Sequence, residues 1–466
     1  VFIAADDQTV VVTILPQIML DMKVPVTELD RASWTITGYL LGYLAAMPLI
    51  GRISDVWGHR RLFIISMLLF MVGSVAVALT PSLSWLIATR VFQAVGAGAL
   101  VPISIAIAGD LFPPGRRALP LGLIGASAEA GGVIGPLWGG IIIRYLDWRW
   151  VFWINIPLGA AVLAVLVLLL RPSPRFPAAV DYLGGGLIAL SLASLTLGLG
   201  RIGAPDPLMV GQLALSGAAM ALFVYRQRTV LAPLLPMSMF TGWTFKAANA
   251  THLMVGGALI IGMVTIPLMA NTTLALTPLE GGLRLMRMTA AIPLGAIVGG
   301  ILCQRMDYRV PVFLGLSMAA FGYWLMSGWG TDIADPALTI HLAVAGFGFG
   351  LLVAPIALAA TESVGDENRG TAAAMVTATR MVGMTLGLAA LAAWGSNRFQ
   401  GLAAGIQLPF PISGETAAQN LQRAQEFDAQ LTGAGMTLFS EFFLIAVGVC
   451  LVGLLPAALI AWQRRR

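Results

Sequence analysis

Fourteen apolar runs, each close to the length of a membrane crossing, constrain this chain more than any other feature. A helix needs about 20 apolar residues to cross a bilayer. By that rule the spans fall near 1–21, 32–51, 62–80, 84–109, 118–143, 150–170, 183–201, 208–225, 243–270, 281–302, 310–329, 338–361, 370–396 and 437–462. Only 11% of the residues are charged and mean hydropathy is +0.86. Soluble domains carry roughly 25% charged residues, so the solvent for most of this surface must be lipid. An all-α polytopic membrane protein is the expected fold class.

An even number of spans puts both ends of the chain on one side. Lys and Arg then divide unevenly between the two faces. Sixteen lie on one face, among them Arg52, Arg60, Arg61, Arg116, Arg117, Arg171, Arg175, Arg369 and the terminal Arg464 to Arg466. Seven lie on the other, such as Lys23, Arg144 and Arg398. The positive-inside rule places the sixteen-residue face, and both termini, in the cytoplasm. The net charge of +5 does not indicate a nucleic-acid partner, because the basic residues sit in short loops and form no continuous patch. Cys303 and Cys450 are far apart and imply neither a disulfide framework nor a metal site. His59, His252 and His341 are scattered, and His252 reads as a packed polar residue within a helix.

Charges inside the spans are the candidates for function. A carboxylate within a membrane is costly unless it has water, a partner or a proton, and such residues mark ion and proton paths. Asp7 stands in an otherwise apolar run ending at Pro16, with Asp6 beside it. Glu129 lies in the fifth span, Arg90 in the fourth and Arg380 in the thirteenth. Burial raises a carboxyl's proton affinity and a nearby Arg lowers it, so movement between two such settings would load and release a proton. Asp7 is the first candidate for that role and Glu129 the second, with Arg90 and Arg380 as the modulating cations. Many glycines, densest from Gly131 to Gly140, allow close helix approach, and Pro136 interrupts the fifth span.

The loop after the second span, Gly51-Arg52-Ile53-Ser54-Asp55-Val56-Trp57-Gly58-His59-Arg60-Arg61, resembles the G-x-x-x-D-x-x-G-x-[RK]-[RK] loop of the major facilitator superfamily. Its glycines permit a tight turn, and Asp55 is suited to meet a positive helix N-terminus or an Arg across the two halves. A contact made in one conformation alone biases the equilibrium between conformations. Arg90 through Ala99 resembles the superfamily's fourth-helix R-x-x-Q-G-x-G-A pattern, with Ala94 for the usual glycine. The Gly135-Pro136 stretch resembles its fifth-helix antiporter motif. Asp7 through Pro16 resembles the first-helix signature of the fourteen-helix drug:proton antiporter branch, with Val12 for the usual Asn. The second half keeps only a worn copy of the loop, with Gln304 where the Asp would stand.

The resemblance implies two six-helix bundles, near 1–170 and 243–462, joined by two linker helices within 183–225. It assigns proton coupling to Asp7, Glu129, Arg90 and Arg380. It assigns conformational gating to Gly51, Asp55, Gly58, Arg60, Arg61, Gly135 and Pro136. Within the branch, Trp34 through Leu49, the Arg380 to Phe399 stretch and Glu129 are similar to the mycobacterial triacylglyceride exporters. That likeness implies proton-driven export of a lipid or related amphiphile across the cytoplasmic membrane. A multidrug:proton antiporter of the same fold is the alternative.

A membrane-embedded enzyme is the remote alternative, since there is no paired-His motif, P-loop or Ser-His-Asp set. No filter-like segment recurs to suggest a channel. No cofactor and no metal is expected. Membrane lipids surround the chain, and a monomer is the expected state. The segment 397–436 is long for a loop. Leu421, Ala424, Phe427 and Leu431 follow helical spacing after turn residues Pro409, Pro411 and Gly414. The last two helices are therefore expected to run past the bilayer as a periplasmic hairpin. The resemblance gives that extension a part in passing lipid onward, with a periplasmic lipoprotein as the partner.

Overall fold

The computed structural model describes residues 1–25, 29–113, 115–170, 178–202, 205–406, 410 and 416–460. Arg171, Arg175, Arg464 to Arg466 and the turn expected at Pro409, Pro411 and Gly414 lie outside the described residues. The α-helices run α1 Phe2–Asp21, α2 Leu29–Trp57, α3 His59–Ala78, α4 Leu83–Leu111, α5 Ala118–Tyr145, α6 Trp150–Trp153 and α7 Asn155–Leu169. They continue with α8 Tyr182–Leu199, α9 Pro207–Thr229, α10 Trp243–Thr272, α11 Pro278–Leu302 and α12 Arg309–Ser327. The last three are α13 Ala337–Glu362, α14 Arg369–Ala403 and α15 Ala417–Ala458. The short α6 and α7 together make one span, so 14 helical segments are long and apolar enough to cross a membrane. The chain is a multi-pass membrane protein.

Local chemistry sets the helix ends. Gly58 adopts φ 89° between α2 and α3, a conformation that favours glycine and lets one helix end and the next begin at once. Asp206 caps α9 by accepting from the Met209 N–H at 2.7 Å, with Pro207 in the first turn. Thr277 and Glu280 form a reciprocal capping box on α11. Thr416 and Gln419 do the same for α15. The helix expected after residue 415 and the last expected span are therefore one continuous 42-residue helix. Its partner α14 is also longer than a bilayer requires, at 35 residues.

Packing sorts the helices into two groups. In the first, α1 lies on α5, α2 on α4, and α3 on α4 and α7. In the second, α10 lies on α14 and α15, α11 on α13, and α12 on α13 and α15. Helices α8 and α9 pack on each other, and α8 also touches α2 and α14. The groups meet where α5 faces α11 and α13, and where α14 faces α2 and α4. Small residues make this approach close. A Cβ on Gly122 of α5 would meet the Ala296 carbonyl oxygen of α11 at 2.6 Å and Gly300 Cα at 3.3 Å. Without hydrophobic drive between lipid-solvated helices, such contact is the main source of association.

Candidate functional site

Asp7 lies inside the first group, on the buried face of α1. Its side chain is 1% exposed, and the Arg90 side chain opposite it is fully buried. Arg90 Nη1 donates to Asp7 Oδ2, and Nη2 donates to the Asp7 carbonyl oxygen at 3.0 Å. Gln93 Nε2 and Asn155 Nδ2 both donate to Asp7 Oδ1, at 3.3 and 3.2 Å. The same two amides donate to Ser74 Oγ at 2.8 and 3.2 Å. Arg90 also donates to Gln93 Oε1 at 2.8 Å, and its Cζ lies 4.0 Å from the Tyr39 ring centroid. Helices α1, α2, α3, α4 and α7 each supply one or two members. A buried ion pair offsets its desolvation only when the remaining valences are also met, and here they are.

Glu129 and Arg380 meet across the two groups. Arg380 Nη1 donates to Glu129 Oε1 at 2.5 Å. Each residue lies eleven positions beyond the start of its helix, at Ala118 and Arg369. At 1.5 Å per residue both sit about 16 Å below the arginine-rich end, deep within the membrane. Their side chains keep 15% and 19% exposure, so this pair, unlike Asp7–Arg90, is not sealed. His252 is indeed a packed polar residue, with Nδ1 2.7 Å from the Val376 carbonyl oxygen.

The arginine-rich ends of the groups are tied by a second polar cluster. Asp55, at the end of α2, accepts from the Gly370 N–H at 2.7 Å, the Thr371 N–H at 2.9 Å and Thr371 Oγ1 at 2.6 Å. These donors are the first turn of α14. The carboxylate therefore sits on the positive end of a helix dipole, the first of the two partners expected from the loop motif. Gly51 faces the same turn, where an added Cβ would meet Ala374 Cβ at 2.5 Å. His59 bridges Asp55 at 3.1 Å and Asp110 at 2.7 Å. Arg52 donates to Asn368 Oδ1 at 3.1 Å, and Arg369 donates to the Gly109 carbonyl oxygen at 3.4 Å.

The expected gating residues thus separate. Gly51 and Asp55 stand at the interface, and Gly58 makes the turn that brings His59 to it. Arg60 donates to the Val167 carbonyl oxygen at 2.9 Å, and Arg61 lies over the Trp57 ring, both within the first group. Gly135 lies against α1, where an added Cβ would meet Thr9 Oγ1 at 2.2 Å and the Asp6 carbonyl oxygen at 2.9 Å. Pro136 is in the interior of α5. Sequence reasoning missed Arg52, His59, Asp110 and Arg369 as members of the polar cluster that ties the two groups. The available signal was an acidic residue closing α4 and a cation opening α14, both beside the arginine-rich loops. It also missed Gln93, Asn155 and Ser74, which look like ordinary polar residues within a span.

Two apolar cavities flank these clusters. One of about 710 Å³ lies between α10, α14 and α15, lined by Leu268, Leu388, Phe399, Phe439 and Phe442, with Asp428 and Thr432 on its wall. Another of about 670 Å³ lies between α3, α4, α5 and α7, lined by residues such as Phe63, Leu123 and Val165. Among the described residues, no three or more His, Cys, Asp or Glu side chains gather to hold a metal ion. Cys303 and Cys450 are both buried free thiols.

Comparison with known proteins converges on one family. The family model of the Major Facilitator Superfamily matches residues 1–388. A triacylglyceride transporter of Mycobacterium tuberculosis is 37% identical, with 100% of this chain and 93% of that protein aligned. One from Mycolicibacterium hassiacum is 36% identical over 100% of this chain and 90% of its own length. Among solved structures, a proton:xylose symporter superposes with a TM-score of 0.61 at 15% identity, covering 96% of this chain and 92% of the other. A human organic anion transporter gives 0.58 at 17% identity, covering 94% and 88%. At those identities the structural likeness speaks for the fold alone.

Proposed function

The chain belongs to the major facilitator superfamily, and from that premise we propose that it is a proton-coupled antiporter exporting a lipid, a triacylglyceride or similar amphiphile, across the cytoplasmic membrane. The observation that carries the coupling is the Glu129–Arg380 pair. It joins the two halves at mid-depth and stays open to exchange. Protonating Glu129 removes the negative charge that holds Arg380 and so unties the halves there. Losing the proton restores the tie. A proton binding equilibrium is thereby linked to a conformational one, as alternating access requires.

Asp7 and Arg90 form the second coupling pair. They are sealed within one half, and their pairing changes only when the helices around them shift. The Asp55 cluster holds the arginine-rich ends together, so the conformation described is closed on that side. The charge asymmetry supports assigning it to the cytoplasm. Opening then faces the outer side, where the long α14 and α15 would project and offer cargo a route onward to a lipoprotein.

Cargo chemistry follows from the cavities and the relatives. The cavity between α10, α14 and α15 is walled mostly by aliphatic and aromatic side chains, which suit acyl chains and poorly match sugars or phosphates. The mycobacterial relatives carry triacylglyceride transport in their names. The test is reconstitution in liposomes of known orientation with an imposed proton gradient. Gradient-driven movement of triacylglyceride, lost in Glu129→Gln, supports the proposal. Movement of a cationic dye but no lipid would replace it with the multidrug reading.

A further inference from the structure

Two carboxyls stand side by side on α1, and they are held very differently. Asp7 is met by a guanidinium and two amides. Asp6 is 9% exposed, and its Oδ1 is buried with no hydrogen-bond partner among the described residues. The helices packed against α1 are α2, α4 and α5. The ionisable groups they bring to this region are Tyr39 and Tyr43 on α2, Arg90 on α4 and Glu129 on α5. Arg90 is committed to Asp7, and Glu129 to Arg380. Arg90 answers Asp7, and none of these groups is paired with the Asp6 carboxyl. A second bare carboxylate at this depth would carry an uncompensated burial cost of several kcal/mol.

We propose that Asp6 is the group that holds the transported proton in this conformation, while Asp7 is paired with Arg90. This assignment rests on the proton-coupled reading above and adds to it a proton site for the conformation in which Glu129 is tied to Arg380. The glycines of α5 explain how the proton is kept and released. A Cβ on Gly131 would meet the Asp6 backbone nitrogen at 3.0 Å, and one on Gly135 would meet its carbonyl oxygen at 2.9 Å. The α5 backbone therefore lies directly on the turn of α1 that carries Asp6.

Further along the same side of α1, Thr9 and Thr13 are only half-buried. They continue the polar side of α1 from Asp6 beneath Gly135 and Gly140 of α5. When α1 and α5 part, water reaches the carboxyl. Its O–H bond breaks, the proton leaves to water, and the new negative charge is hydrated by the water that has entered. Reclosing requires the proton back. The glycine stretch of α5 thereby acts as the cover whose position decides whether the proton can exchange.

The experiment uses the full chain in proteoliposomes, as wild type, Asp6→Asn, Asp6→Ala and Asp6→Glu. Asparagine mimics the protonated side chain, so Asp6→Asn is expected to fold and to lose gradient-driven lipid transport while keeping downhill exchange. Asp6→Glu is expected to restore the gradient dependence. Infrared spectroscopy of the same samples at neutral pH reads the proton directly. Wild type is expected to show the carbonyl stretch of a protonated buried carboxyl, and Asp6→Asn and Asp6→Ala to lack it. Persistence of that band in both variants, or undiminished gradient-driven transport by Asp6→Asn, overturns the assignment. Should wild type move no lipid under any gradient, the transport reading fails by itself. The infrared comparison then still decides whether Asp6 carries a proton.

Discussion

Replacing Asp55 with Asn tests how the two halves are held at the arginine-rich end. The carboxylate is fully buried and accepts three hydrogen bonds from the first turn of α14, plus one from His59. Charge-assisted bonds contribute about 1.5–3 kcal/mol each, and a negative charge on a helix N-terminus adds up to about 2 kcal/mol. Asn keeps one acceptor oxygen and loses the charge, and its amide group points a donor at donors. A loss of about 3 kcal/mol is a conservative figure. Since 1.4 kcal/mol is tenfold, the balance between tied and untied forms shifts by on the order of a hundredfold. Spin labels at Arg116, beside the start of α5, and Met306, beyond the end of α11, report the separation of the two halves. Wild type is expected to give one short distance, and Asp55→Asn a second, longer population. An unchanged distance distribution in a folded Asp55→Asn protein would refute the claim that Asp55 closes this end.

Three further outcomes follow from other parts of the molecule. Arg90→Ala leaves a buried Asp7 without its cation and is expected to cost about 3–5 kcal/mol, read as a fall in melting temperature. The double change Arg90→Met with Asp7→Leu should recover most of that stability and none of the proton-driven transport. Gly135→Val places methyl groups into α1 backbone and should cost about 1–3 kcal/mol and depress transport. Wild-type melting temperature with normal turnover would show that α1 and α5 do not need this approach.

The last outcome is a pH dependence in the linker helices. Burial pushes the Asp181 carboxyl up, but bonds from the Gly184 N–H, Arg226 and Gln227 outweigh it and hold it below its ordinary value of 3.8. Its stabilisation is thus fully present above pH 3.8 and is lost as pH falls through the lower folded value. Amide exchange over 182–199 should be flat from neutral pH down to about 4 once intrinsic rates are removed, and should rise below that. Asp181→Asn should show the raised exchange at every pH.

Which parts of the site were legible in the sequence depended on whether the signal was local. Spans were readable because lipid demands long apolar runs, whatever the tertiary packing. Asp55 was readable because its motif keeps fixed spacing and its physical need, a positive helix end, is local to a loop. The identity of that helix end, Gly370-Thr371, was not readable, because the two are more than three hundred residues apart in the chain. Of the Asp7–Arg90 pair, only a modulating cation on the fourth span was expected, from charge alone. The amides of Gln93 and Asn155 that complete it were not, since a single polar residue in a span gives no direction. Arg60 and Arg61 were grouped with the gate because they belong to the motif, yet they turn to their own half. The run of α15 from Ala417 was half-legible. Its helical spacing and its run past the bilayer were both expected, but that the helix passes unbroken through Gly433 and Gly435 was not readable, since glycine favours a break there.

Simultaneous recording of lipid and proton movement in one population of proteoliposomes reaches the central claim most directly. With lipid cargo supplied and no imposed gradient, wild type is predicted to move protons opposite to the lipid, and Glu129→Gln to move none. Lipid crossing at full rate with no accompanying proton flux would contradict the account.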